Sequence, residues 1–141
     1  MNILADSNYF YALLNPEDSL HKFAVNISNQ ISISKDNLLI NEYILLETVT
    51  IVSQKLDKKL AILIGKSFIN EEGVSLIHIN NDIFKQTWDI FENTNNKNIS
   101  FVDCSLIATL QNEKIDTILT FDTTDFSKLQ KQYNFNLYYN L

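Results

Sequence analysis

The chain has 141 residues, with 17 acids against 11 bases for a formal net charge of −6, and 45% of its residues are hydrophobic. Every base is a lysine and there is no arginine, which argues against a simple nucleic-acid-binding module with a basic surface but not against a site whose positive charge comes from a metal. The single cysteine, Cys104, excludes an internal disulfide, and no apolar run approaches membrane-spanning length.

This size suits one domain with one core. The start of the chain shows no basic stretch followed by a long apolar segment, so no signal peptide is expected. The expected location is the cytoplasm, with no membrane partner.

Glycine and proline are rare, with two and one respectively, and no linker, repeat or low-complexity tract interrupts the pattern. Ile3 to Ala5 reads as a strand and Tyr9 to Leu14 as a short helix. Asn15 to Ser19 forms a loop into a helix from about Leu20 to Gln30. Leu38 to Ile40 is a second strand, Glu42 to Leu56 a long helix, and Lys58 to Phe68 another, with a break at Asp57. Ser75 to Ile79 is a strand, Asp82 to Asn93 a helix, and "ENTNNKN" a polar loop. Ser100 to Gln111 is a helix, Thr117 to Phe121 a strand, and Phe135 to Tyr139 a last strand. Strands alternating with helices predict an α/β fold, a mostly parallel sheet flanked by helices. In such sheets ligands bind beyond the carboxyl ends of the strands. Asp6 follows the first strand and Asp122 follows "TILTF", so acids from opposite ends of the chain face one edge.

Four acids stand out, each with a plainer reading beside it. Asp6 fits an Asx turn or helix cap, but Asn8 is an equally good cap, which leaves Asp6 free for a site. Glu47, in "NEYILLETVTIV", lies at helical spacing between Tyr43 and Ile51, near the line of Ile40 and Ile44. A carboxylate in an apolar stripe is costly unless paired, so Glu47 reads as a purposeful buried acid. Asp103, in "SFVDCSLIATL", completes a capping-box pattern with Ser100, yet its helical turn also aims a carboxylate at the sheet edge. In "TFDTTDF", Asp122 follows the strand directly and reads as the site residue, with Asp125 as the cap of the segment Asp125 to Leu129.

Other candidates are weaker. His21 and His78 have no ligand-type partner at helical spacing, Cys104 lies on an apolar helix as a core residue, and no Gly-rich phosphate loop or G-x-S-x-G elbow occurs. Lys55, Lys58 and Lys59 read as a solvated face.

The stretches "ILADSNYFYALLNPEDSLHKFA", "INEYILLETVTIVSQKLDKKLA" and "SFVDCSLIATLQNEKIDTILTFDTTDF", in this order, resemble the PIN-domain family, most closely its small VapC-type toxin members. The resemblance spans nearly the whole chain and implies a single PIN-like nuclease domain over residues 1–141. It implies that Asp6, Glu47, Asp103 and Asp122 are both metal ligands and catalytic residues, holding Mg²⁺ or Mn²⁺ for the cleavage of RNA. Ser7 and Asn8 match the small polar pair after the first acid, and Asp18 and His21 match a recurrent D-x-x-H that reads as structural. "TFDTTDF" is one residue longer than the shortest form of its motif, and Asn98 stands where some members have an acid.

The chemistry agrees with that implication. Unit charges about 4 Å apart repel by about 4 kcal/mol at an effective dielectric near 20, so clustered carboxylates want a cation. All-oxygen donors select hard ions, which assist phosphodiester hydrolysis without a histidine or cysteine nucleophile. The expectation is a metal-dependent endoribonuclease, the toxin of a type II toxin–antitoxin pair. Its partners would be RNA, a small DNA-binding antitoxin and a second copy of itself. The alternatives are a non-catalytic acid-cluster domain that binds RNA or a protein, and a receiver-like signalling domain.

Overall fold

The computed structural model describes residues 1–139. In chain order the elements are β1 (Asn2–Ala5), α1 (Ser7–Leu14), α2 (His21–Ser34), β2 (Asn37–Asn41), α3 (Glu42–Lys55), α4 (Lys58–Ile69), β3 (Ser75–Ile77), α5 (Asn81–Glu92), α6 (Phe101–Asn112), β4 (Thr117–Leu119), α7 (Thr123–Gln130) and β5 (Asn136–Leu137). The strands form one five-stranded sheet in the order β3-β2-β1-β4-β5, and every pairing is parallel. The expected α/β architecture is therefore the observed one. The receiver-like alternative requires the order 2-1-3-4-5 and is excluded.

Parallel strands covered on both faces should read as continuous apolar runs rather than alternating ones. Ile3, Leu4 and Ala5 of β1 are fully buried, as are Ile118 and Leu119 of β4. The chain steps from β1 through β2 to β3 in one direction, then returns to β4 and β5 in the other. Because crossovers are right-handed, this reversal puts α1–α4 on one face and α5–α7 on the opposite face. The reversal opens a crevice between the carboxyl ends of β1 and β4, the switch point where such sheets bind ligands.

Short polar side chains start most of the helices. Asn41, Asp57, Asn80 and Ser100 cap α3, α4, α5 and α6 by accepting from the backbone N–H three residues on. The break expected at Asp57 is such a cap. The loop before α2 is tied by Asp18, whose carboxylate accepts from Leu20 N–H at 2.8 Å. The His21 ring contacts the Ala12 carbonyl at 2.8 Å, which fastens α2 to α1 and fits the structural reading of this pair. Helices α3 and α4 approach closely at Gly65, where an added Cβ would stand 3.2 Å from a methyl of Val49.

The core includes a Phe10–Phe68 edge-to-face pair with centroids 4.8 Å apart. Cys104 is fully buried in it, and burial pushes its thiol up to about 11, with the charge of Asp103 adding to the effect. That thiol is a core residue, not a nucleophile.

Several boundaries differ from expectation. Helix α1 begins at Ser7 rather than Tyr9, and α2 runs on to Ser34. Strand β4 stops at Leu119 and β5 covers only Asn136–Leu137. Helix α7 starts at Thr123 with Asp122 as its cap, which corrects the assignment of that role to Asp125.

Candidate active site

Asp6 leaves β1 with its backbone N–H donating to the Leu119 carbonyl at 2.9 Å, so the end of β4 fixes its position. It is also the cap of α1, which corrects the expectation that Asn8 would serve: Ser7 N–H donates to its Oδ1 at 2.7 Å. Its Oδ2 accepts from the Thr120 hydroxyl at 2.7 Å and from the Asn8 amide at 3.1 Å. Asn8 has a different task, because its Oδ1 accepts from Phe121 N–H at 3.0 Å and so joins α1 to the segment after β4.

Thr120 was not singled out from sequence. Its hydroxyl donates to Asp6 and accepts from Asp122 N–H at 3.1 Å. The missed signal was register: Ala5 pairs with Leu119, so the next residue of each strand, Asp6 and Thr120, must be neighbours.

Glu47 lies on α3, four residues after Tyr43 on the same helical face. It is half-buried rather than buried, which corrects the sequence expectation. Its partner is Ser7, whose hydroxyl donates to Oε2 at 2.6 Å. Asp103 sits in the first turn of α6 within a complete capping box: Ser100 N–H donates to its Oδ2 at 2.8 Å, and Asp103 N–H donates to Ser100 Oγ at 3.0 Å. The capping reading and an acid aimed at the edge thus hold together. Asp122 accepts from Asp125 N–H at 3.2 Å. Asp125 itself pairs with Lys128 at 3.6 Å and accepts from Asn96 at 3.4 Å. Asn98 is exposed, and its N–H donates to Asn96 Oδ1.

The acids feel one another. Asp6 is 4% exposed, and burial raises its carboxyl to about 7; the charges of Asp103 and Glu47 push the same way, against hydrogen bonds from Thr120 and Ser7. Asp103 is raised chiefly by burial, with the charges of Asp122 and Glu47 adding. Asp122 is raised by burial and by neighbouring Asp125, partly offset by Lys128. The charges of Asp103 and Glu47 thus reach Asp6, and those of Asp122 and Glu47 reach Asp103. Among the described residues the only ion pairs are Met1–Asp36, His78–Glu42 and Lys128–Asp125, so no cation pairs with any of the four.

Residues 3–132 match the PIN domain family. The chain belongs to that family. Solved structures share the fold of this PIN domain. VapC20 of Mycobacterium tuberculosis, described as a toxin cleaving the sarcin–ricin loop, is 23% identical with a TM-score of 0.78, over 90% of this chain and 94% of that one. VapBC2 of Rickettsia felis, bound to a DNA fragment from its promoter, is 16% identical with a TM-score of 0.69, over 97% of each chain. A toxin–antitoxin complex of Klebsiella pneumoniae is 15% identical with a TM-score of 0.63, over 89% of this chain and 90% of that one. No curated protein sequence matches this PIN domain.

Among the described residues, no group of three or more histidine, cysteine, aspartate or glutamate side chains stands in metal-ligating geometry. The test of fit is therefore the donor chemistry. Carboxylates that raise one another's proton affinity and lack a paired cation form an oxygen-rich donor set suited to a hard divalent ion. By that measure the residues fit a hard divalent ion.

Proposed function

We propose that this PIN domain is a Mg²⁺- or Mn²⁺-dependent endoribonuclease and the toxin of a toxin–antitoxin pair, acting in the cytoplasm. The observation that carries this reading is Asp6, buried at the switch point with its carboxyl raised to about 7 beside Asp103 and Glu47. Family membership and the toxin described as cleaving the sarcin–ricin loop support RNA as substrate. The toxin–antitoxin neighbours, one bound to promoter DNA, support a small DNA-binding antitoxin as partner. No helix among the described residues is long and apolar enough to cross a membrane.

Asp6, Glu47, Asp103 and Asp122 would hold the ion, which supplies water activation and offsets charge on the scissile phosphate. The chain's own residues arrange the acids. Thr120 and Asn8 hold one oxygen of Asp6 while Ser7 N–H holds the other. The Ser7 hydroxyl fixes Glu47, and the Ser100 capping box stops Asp103 from swinging toward solvent. Asp6 would have to shed the proton that burial favours before its carboxylate could hold the ion.

The test is cleavage of single-stranded and structured RNA with Mn²⁺, with and without a chelator. Metal-dependent internal cleavage that a chelator abolishes is the expected result. Binding without cleavage in saturating Mn²⁺ would favour the non-catalytic alternative.

A two-fold homodimer through part of α3 and α4 belongs to the same proposal. Leu46 and Leu63 are 64% and 65% exposed, and Ile62 and Ile69 are exposed beside them, an apolar face that isologous pairing would cover. Sedimentation should show a mass that rises with concentration to twice 16.3 kDa. A concentration-independent monomer would refute this part alone.

A further inference from the structure

We infer that Asn41 is a positioning residue that sets the separation of Glu47 and Asp103, and so the affinity of the acid site for its divalent ion. The inference rests on the metal-site reading above. Asn41 is the last residue of β2 and is fully buried. Its Oδ1 accepts from Ile44 N–H at 3.0 Å, which fixes the start of α3. Its amide nitrogen donates to Ser105 Oγ at 3.1 Å and Thr109 Oγ1 at 3.0 Å, with the Ser105 carbonyl at 3.4 Å. Ser105 and Thr109 are themselves fully buried on α6.

One side chain thus ties the first turn of α3 to the second and third turns of α6. Glu47 follows Ile44 by less than one turn of α3, and Asp103 precedes Ser105 on α6 by two residues. A cap alone would need only the Oδ1 half of this side chain. The amide half, reaching across to α6, has no capping task. Burying it is costly unless it is hydrogen-bonded, and all its partners lie on the helix that carries Asp103. Glu47 and Asp103 are acids on the two helices that Asn41 joins, so like charge works to part them. A link between their helices resists that repulsion when no ion is bound.

Asn41→Ser separates the two halves, because serine caps a helix as well as asparagine but is too short to reach α6. Ser105→Ala with Thr109→Val removes the α6 acceptors and leaves the cap untouched. Asp57→Ala, at the cap of α4, is the control for stability lost without the link. The measurements are the Mn²⁺ concentration that half-saturates the rise in melting temperature, and kcat and KM for RNA. Both link variants should need about 10–100-fold more Mn²⁺, with kcat at subsaturating metal lowered and KM for RNA unchanged. Asp57→Ala should melt lower yet keep the parental Mn²⁺ midpoint. If either link variant folds and keeps that midpoint, or if Asp57→Ala shifts it equally, the inference is overturned. A parent whose melting ignores Mn²⁺ would instead refute the metal-site reading on which it stands.

Discussion

Replacing Asp6 by asparagine should make the metal-free protein more stable at pH 8 while abolishing RNA cleavage. The folded carboxyl titrates at about 7 against an ordinary value of 3.8. Between those values the folded state holds a proton that the unfolded chain has lost, so stability falls as pH rises through that window. At pH 8 the penalty approaches about 4 kcal/mol, and below the ordinary value it vanishes. Asparagine carries no charge at either end. Its melting temperature should therefore fall less from pH 5 to pH 8 than that of the parent, which loses on the order of 10 °C, the remaining fall coming from Asp103 and Asp122. Mn²⁺ at a hundred times its dissociation constant should add about 2.7 kcal/mol to the parent and far less to the variant. Because Asp6 must shed its proton to take a cation, the parent's Mn²⁺ affinity should climb with pH up to about 7. A variant that melts below the parent at pH 8, or that cleaves at the parental rate, would contradict this account of Asp6.

The second large effect separates Asp122 from Asp125. Asp122→Asn keeps an oxygen to accept from Asp125 N–H, so α7 keeps its cap and the protein its stability. It removes the negative charge that Asp103 feels, and cleavage should fall by about 100-fold. Asp125→Asn loses a partly exposed pair with Lys128, worth about 0–1 kcal/mol, and should cleave within about twofold of the parental rate. Rate measurements on the two variants at saturating Mn²⁺ decide the matter. An inactive Asp125→Asn beside an active Asp122→Asn would exchange their roles.

The order of strands and helices was legible because apolar runs of three to five residues alternate with stretches of 3.6-residue period, and that local contrast needs no tertiary information. The direction of Asp6 and Asp122 was legible for the same reason, since each follows a strand. The partners of those acids were not. That Asp6 meets Thr120 follows from the Ala5–Leu119 register, a pairing across more than a hundred residues that no local pattern encodes. Asp122 and Asp125 each satisfy the rule for a cap three residues before an N–H, and the β-branched Thr123 and Thr124 between them allow the helix to start at either place. Glu47 misled for a different reason: α3 is apolar around much of its girth, so periodicity could not say which side faces the core. Its exposed Leu46 shows how wide that stripe is.

The pairing of β1 with β4 has a consequence for synthesis. Asp6 emerges with the first residues of the chain, but the carbonyl that holds its backbone and the hydroxyl that holds its carboxylate belong to Leu119 and Thr120. Every nascent or truncated chain that ends before β4 leaves one side of β1 an open edge and lacks Asp122. No such fragment can form the contacts that hold Asp6 in place. Long-range pairing of this kind is slow to form, so the seat of Asp6 is completed late, after most of the chain is made.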